Sequence, residues 1–425
     1  MRLEIENIGK VKKACINLNG ITVVAGVNSS GKSTISKAVS CLVNANHKMV
    51  EDIRFQKIDS LNRWFESFLF DSKFLYNNPS KAPLDSLYAR TPSNSSAFAR
   101  EILNSQHSHF NSDQLRSVIA GLLHVEEDDI FLSGKQISSL NVILNTSVFE
   151  RQKYVILKSF REKFRDQICF VKGVSDSLVS LESQNGRSMK TIFRENKVSS
   201  FSSDFNNENS VVFLEAPSRF NNDNAFQVGF NRGRIINSTV WSLLAKEVSN
   251  DTNYEDYKWV ESSLSEIDSF IEDTIHGSFF STEGSSELTF KENAISGISL
   301  EMCNVASGVR VFAIIRRLVQ NRSLNERSIL VIDEPETGLH PEWQIQFARL
   351  LGLLSKKMGI KVLLTTHSPY FLRAIEVVSK DCEMQDSTSF YLMKEESDGF
   401  RFSSYDVTNR TEEIYKQLYL PLERL

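Results

Sequence analysis

Two segments carry residue types that can do chemistry together. One reads Gly26-Val27-Asn28-Ser29-Ser30-Gly31-Lys32-Ser33-Thr34, and the other places Asp333-Glu334 directly after the apolar run 329–332. A G-x-x-x-x-G-K-S loop lets backbone N–H groups converge on an anion, and a helix starting there adds a favourable dipole. Gly26, Asn28, Ser29, Ser30, Gly31, Lys32, Ser33 and Thr34 are therefore candidates to hold phosphates. Lys32 can reach the β- and γ-phosphates, and the Ser33 hydroxyl can ligate Mg²⁺. Asp333 suits the metal shell as the acidic partner of such a loop. Glu334 suits the attacking water, as orienting group or general base, a role typically giving about 10²–10⁴-fold. Adjacent strand residues point to opposite faces, so the two carboxylates are expected to take separate tasks. Together the segments imply that a nucleoside triphosphate is bound with magnesium and hydrolysed.

Two weaker features follow in order. His367 closes the apolar run 361–366, one helix after Glu334. It can contact the γ-phosphate or hold the water, or it can merely satisfy a turn. Its spacing from Glu334 favours the first reading. Upstream, Ser307-Gly308 opens a helix, again a potential anion site, although Ser-Gly pairs are common. Asn77-Asn78-Pro79-Ser80 and Thr91-Pro92-Ser93-Asn94 mark 76–96 as loop.

These groups need strands and helices to carry them. Residues 21–24 are a β-branched run leading into the glycine loop, and 35–43 read as the helix after it. Residues 329–332 suit a central parallel strand buried on both faces. The sequence Pro335-Glu336-Thr337-Gly338-Leu339-His340-Pro341 stops that strand, and a helix is expected from about Glu342. Residues 2–8 and 11–18 read as an antiparallel pair around Gly9-Lys10.

The phosphate loop, the Ser-Gly helix start, D-E-P-E-T-G-L-H-P and T-T-H-S-P, in that order, resemble an ABC-type ATPase of the SMC/RecF/OLD kind. ATPase subunits of bacterial anti-phage systems such as OLD, Septu and PARIS are similar. The resemblance covers roughly 1–45 and 285–395. It is strong for the two Walker motifs and the histidine, and weak at Ser307-Gly308, where Val-Ala-Ser-Gly-Val replaces a fuller signature. It implies ATP and Mg²⁺ as ligands, with Lys32, Glu334 and His367 catalytic and Ser33 and Asp333 on the metal. It also implies a head-to-tail homodimer or higher oligomer, in which Ser307 and Gly308 of one copy cap the γ-phosphate held by Lys32 of the other. Residues 336–340 would then lie at the seam. The glutamine that contacts Mg²⁺ in such ATPases is not evident; Gln56 is the first candidate by order.

The expected fold is α/β, a P-loop head with a large, mainly helical insertion. The head is expected in 1–46 and 285–395, the insertion in 47–284 with 210–216 rejoining the head sheet, and a tail in 396–425. Within the insertion, 51–70, 97–103, 113–123, 138–170 and 239–275 read as helices and 188–198 as a strand. Lys158, Arg161 and Arg165 share one face of the 138–170 helix and can track phosphates or an acidic partner, though a solvated face is the plainer reading. The tail 412–425 is amphipathic and aromatic, fit either to pack on its own head or to dock a partner.

Composition bounds the rest. The chain has 425 residues, 41% hydrophobic and 24% charged, with net charge −4, so no global charge demands nucleic acid. No apolar run approaches the roughly 20 residues of a membrane helix. A strand opening at Arg2 leaves no room for a signal peptide, and five scattered cysteines without CxxC fit a reducing cytoplasm. His107 and His109 lack further ligands for a metal site. No HNH-like cluster is visible, so a nuclease or toxin effector is expected on another polypeptide. The favoured function is the sensor or regulatory ATPase of a defence system. The alternative is a DNA-repair or chromosome-maintenance ATPase acting on DNA directly, and a transporter subunit ranks third.

Overall fold

The computed structural model describes residues 1–70, 84–105, 107–170, 175–205, 209–215, 239–244, 246, 254–281, 288–292, 299–301 and 304–420. Along the chain come β1 (Arg2–Ile8), β2 (Val11–Asn17), β3 (Ile21–Ala25), α1 (Lys32–His47), α2 (Met49–Leu69), α3 (Leu84–Asn104), α4 (Ser112–Leu123), α5 (Gly134–Asn145) and α6 (Val148–Phe164). Then follow β4 (Ser177–Glu182), β5 (Ser188–Arg194), β6 (Lys197–Ser203), β7 (Ser210–Glu215), α7 (Thr239–Leu244), α8 (Tyr254–Ile275), β8 (Gly277–Ser281), β9 (Leu288–Glu292) and β10 (Ser299–Glu301). The last elements are α9 (Ser307–Gln320), β11 (Ser328–Asp333), α10 (Pro341–Met358), β12 (Lys361–Thr366), α11 (Pro369–Asp381), β13 (Thr388–Glu395), β14 (Phe402–Asp406) and α12 (Glu412–Tyr419).

Eleven of the described strands form one sheet, in the order β6-β5-β4-β1-β2-β14-β13-β3-β12-β11-β7. Its first half, through β2, is an antiparallel meander. From β13 through β3, β12 and β11 to β7 the strands are parallel. Every residue of β3 and β11 is buried, in keeping with the β-branched run 21–24 and the apolar run 329–332. One face of this parallel part, including Val23, Leu330, Ile332 and Leu364, packs with Ile271 of α8, Phe312 of α9, Phe347 of α10 and Phe371 of α11. The face opposite meets α1, which contacts β7, β11 and β12. Arg316 ties α9 to α8 through Asp268 (2.9 Å) and Glu272 (2.8 Å).

The chain divides into two compact units, Met1–His47 with Ile156–Leu425, and Lys48–Val155. The second has its own core, in which Trp64 and Phe65 of α2 stack on Phe98 of α3 with centroids 5.3 and 4.6 Å apart. Asn111 and Ser133 cap α4 and α5 with reciprocal capping boxes.

Several local expectations give way. The compact helical unit is shorter than the 47–284 insertion read from the sequence, because β4, β5 and β6 extend the main sheet from β1. The 188–198 strand is a hairpin, turning at Glu195 and Asn196, both with positive φ. Of the loop expected over 76–96, 76–83 fall outside the described residues and 84–96 begin α3, whose later residues Phe98 and Ile102 are buried. The packing of these later residues supports a helix that local propensity at Pro92 and Asn94 argues against. The 138–170 helix breaks after Asn145 and ends at Phe164, where Arg165 turns left-handed. In the 239–275 helix, 247–253 fall outside the described residues. The tail is not separate from the sheet, since β14 lies between β2 and β13. Ile414 of α12 is fully buried, so that helix packs on its own head, while 421–425 fall outside the described residues. Among the described residues no helix is long and apolar enough to cross a membrane.

Phe347 touches the rings of Phe312 and Phe371 at the centre of the core. Phe347→Ala is expected to destabilise the head by about 3–5 kcal/mol, read as a lowered midpoint in urea unfolding; an unchanged midpoint contradicts this packing.

Candidate functional site

Strand register builds the site. Asp333 pairs with Thr365, and Thr366 pairs with Ala25. Three parallel strands therefore end level, and the residues after them, Gly26, Glu334 and His367, emerge at one edge. The carboxyl ends of parallel strands are where α/β proteins bind ligands.

The loop after β3 turns through Ser29 (φ 62°) and Gly31 (φ 88°) into α1. A side chain at Gly31 would put its Cβ 2.9 Å from Val11, so both conformation and space demand glycine. Lys32, 4% exposed, folds over the loop and donates to the carbonyls of Gly26 (2.9 Å) and Val27 (2.8 Å). Burial lowers the Lys32 pKa, opposed by the charges of Glu334, Asp333 and Glu336. Ser30 Oγ is buried without a hydrogen-bond partner. The first N–H groups of α1 have no partner within the helix, as at any helix start.

Asp333 is the last, buried residue of β11 and accepts hydrogen bonds from the hydroxyls of Thr365 and Ser33. Burial raises its pKa, against the pull of those hydroxyls. Among the described residues no group of three His, Cys, Asp or Glu could hold a metal. A hydroxyl and one carboxylate fit Mg²⁺, which keeps waters and substrate oxygens in its shell. Gln56, the other metal candidate, belongs to the helical unit.

Glu334 is not on the strand pleat. Its φ of 51° is left-handed, and its N–H donates to the Thr365 carbonyl (3.0 Å). A turn, not strand alternation, therefore separates it from Asp333. Non-glycine residues rarely hold this conformation, and such strain collects at functional sites. Asn28, Ser29, Glu334, Glu336, Thr337, His367, Ser368 and Pro369 line an open cleft. His367 Nδ1 lies 3.5 Å from Glu334 Oε1 and 3.4 Å from Glu336 Oε1.

Sequence reasoning gave Glu336 only a place at the seam between copies, and it missed Thr365 as a site residue. The signal for the first was a second glutamate two places after Glu334; for the second, a polar pair closing an apolar strand. A separate cavity of about 530 Å³ adjoins Ser33 and Thr34 and is lined by Lys10, Lys37, Lys163, Phe164, Phe170 and Phe400, among others. Nothing in the sequence linked those aromatics, which come from α6, the segment after it and the β13–β14 turn.

Ser307 and Gly308 do not line the cleft. Ser307 Oγ donates to the carbonyl of Gly338 (2.8 Å), and a Cβ on Gly308 would meet the Trp343 ring at 2.9 Å. The start of α9 is thus fastened to the 336–340 turn. Of the basic stripe, Arg161 pairs with Asp166 at 3.2 Å and Arg165 falls past the end of α6, while the neighbouring Lys163 lies over the Phe213 ring.

The arrangement can be set beside known proteins. Solved structures similar to this chain include an SMC head domain from Thermotoga maritima, 10% identical over 96% of this chain and 98% of that chain, with TM-score 0.40. Another is an SMC head bound to the C-terminal winged-helix domain of ScpA, 8% identical over 97% and 98%, TM-score 0.42. A third is an SMC head with an extended coiled coil bound to the C-terminal domain of ScpA, derived from Pyrococcus furiosus, 8% identical over 98% of each chain, TM-score 0.41. Residues 1–372 match the AAA ATPase domain family, and on that match, which spans both halves of the site, the chain belongs to this family.

Proposed function

We propose that this chain binds ATP with Mg²⁺ and hydrolyses it to ADP and phosphate. The observation that carries the reading is the level ending of β3, β12 and β11, which gathers Lys32, Ser33, Asp333, Glu334 and His367 at one edge. Lys32 and the loop N–H groups hold the phosphates. Ser33 and Asp333 hold Mg²⁺, which when bound neutralises charge on the phosphate oxygens. Glu334 orients the attacking water or takes its proton, and His367 contacts the γ-phosphate. The cavity beside Thr34 accepts the nucleoside, with aromatic rings for the base and lysines near the phosphates.

The second half of the proposal is a shared site. On the resemblance in the sequence, Ser307 and Gly308 of a second copy close over the γ-phosphate. Within one chain they are fastened to the 336–340 turn, which supports the two moving as a unit. Excluding water at such a seam would strengthen each charge interaction. The proposed setting, again from the resemblance, is the sensor or regulatory subunit of a bacterial anti-phage system that controls a separate nuclease or toxin. Co-expression with the product of the adjacent gene tests this setting: a stable complex is expected. Duplex DNA that stimulates hydrolysis, with binding that weakens steeply in salt, would instead favour an ATPase acting on DNA.

Lys32→Ala is expected to weaken ATP binding by roughly 10- to 100-fold in calorimetry, the worth of a lost charge-assisted contact. Glu334→Gln should bind ATP normally and turn over roughly 10²–10⁴-fold more slowly; turnover at the wild-type rate would remove Glu334 from the chemistry. Asp333 makes a third test. A carboxyl whose folded pKa is raised disfavours the folded state once ionised, so the penalty is absent in acid and present above the folded pKa. In metal-free buffer Asp333→Asn should therefore raise the thermal midpoint at neutral pH, and the gain should vanish as pH falls through the carboxylate range.

A further inference from the structure

Beside the cleft sits a buried carboxylate that the proposed chemistry does not use. Glu336 has a side chain only 5% exposed, against 36% for Glu334. Its Oε1 accepts hydrogen bonds from the Thr366 hydroxyl (2.7 Å) and the His367 N–H (3.1 Å). Its Oε2 is buried with no partner. His367 Nδ1 is also buried without a hydrogen bond, 3.4 Å from Glu336 Oε1. The carboxylate thus keeps one unfilled oxygen, while its other oxygen, already bonded twice, lies within reach of an unfilled ring nitrogen; buried polar atoms are costly to leave unpaired.

We propose that Glu336 is the positioning residue for His367: it fixes the backbone where β12 gives way to α11 and holds the Nδ1 proton, leaving Nε2 for the terminal phosphate. This rests on the ATPase reading above for the role of His367, but the Glu336–His367 contact stands without it. Glu334 lies almost as near Nδ1, at 3.5 Å. It is the poorer holder. Its side chain is more exposed, its backbone is strained, and the Thr337 hydroxyl reaches it only at 3.4 Å. Glu336 is buried and held by two hydrogen bonds at Oε1, the same oxygen that lies 3.4 Å from Nδ1. Two-point anchoring of the backbone N–H and the ring by one carboxylate fixes both the position and the tautomer of the imidazole. Burial raises the Glu336 pKa, and the hydrogen bonds from Thr366 and His367 oppose that rise.

The test has two arms. In the first, Glu336→Gln, His367→Ala and the double variant are compared in steady-state ATP hydrolysis. Glu336→Gln keeps the shape and an acceptor for Thr366. It should lower kcat by roughly 10- to 100-fold, as loss of an orienting group does, while KM for ATP stays unchanged. The double variant should be no slower than His367→Ala, since residues acting as one unit are not additive. Independent, multiplicative losses would overturn the proposal. In the second arm, ¹⁵N-histidine-labelled protein reports the tautomer without any need for turnover, with His367→Ala assigning the signal. Wild-type His367 protonated at Nδ1, and losing that preference in Glu336→Gln, is the expected result. A wild-type ring protonated only at Nε2 would overturn the proposal even if the variant failed to fold. Wild-type protein that carries the Nδ1 proton but does not hydrolyse ATP would remove the ATPase reading and leave the contact standing.

Discussion

Backbone pairing between three parallel strands is the constraint on which the rest depends. The ladder from Asp333 to Thr365, and from Thr366 to Ala25, sets where each strand stops. A slip of one residue in either pairing would turn every side chain of a strand to the opposite face. It would also move the glycine loop, the acidic pair and the histidine out of level. Register is strongly specified where a face is buried, and β3 and β11 are buried along their whole length. The core is therefore the device that aligns the polar groups, as well as the source of stability.

Burial has an opposite effect on those groups. Lys32, Asp333 and Glu336 all sit where the charged form is disfavoured, and each is offset by neighbours: loop carbonyls, threonine and serine hydroxyls, or a backbone N–H. Removing such a carbonyl, hydroxyl or N–H partner leaves the charge it offsets buried and uncompensated. The charges come from segments far apart in sequence, yet they hold each other in place. A site built this way suits the ligand proposed for it, one of mixed charge, with phosphate against the lysine and a cation against the carboxylate.

Much of this was legible in the residues. The G-x-x-x-x-G-K-S loop after a β-branched run, and the two carboxylates after an apolar one, marked strand, loop and helix before any fold was known. What stayed hidden depends on distant pairing. The sequence around Glu195-Asn196 looks like one strand, because the sharp turn is made by two non-glycine residues with positive φ. Residues 84–96 look like loop, because no local signal reports the partners that the later turns of α3 find in Phe65 and Trp64. The strand pleat suggests one direction for Glu334, whereas a left-handed backbone sets another. Phe164, Phe170 and Phe400 line one cavity although nothing in their spacing connects them.

The place of β14 has a consequence for the newborn chain. This strand separates the hairpin of β1 and β2 from β13 and β3, so the hairpin reaches the nucleotide strand only through residues 388–406. During synthesis the glycine loop leaves the ribosome well over three hundred residues before the strands that flank its own, 361–366 and 388–395. Long-range pairing of this kind closes slowly. Until those strands follow, the earlier segments expose unpaired edges of the sort that chaperones cover. The order of the sheet thus delays assembly of the candidate site until the residues past 388 have been made.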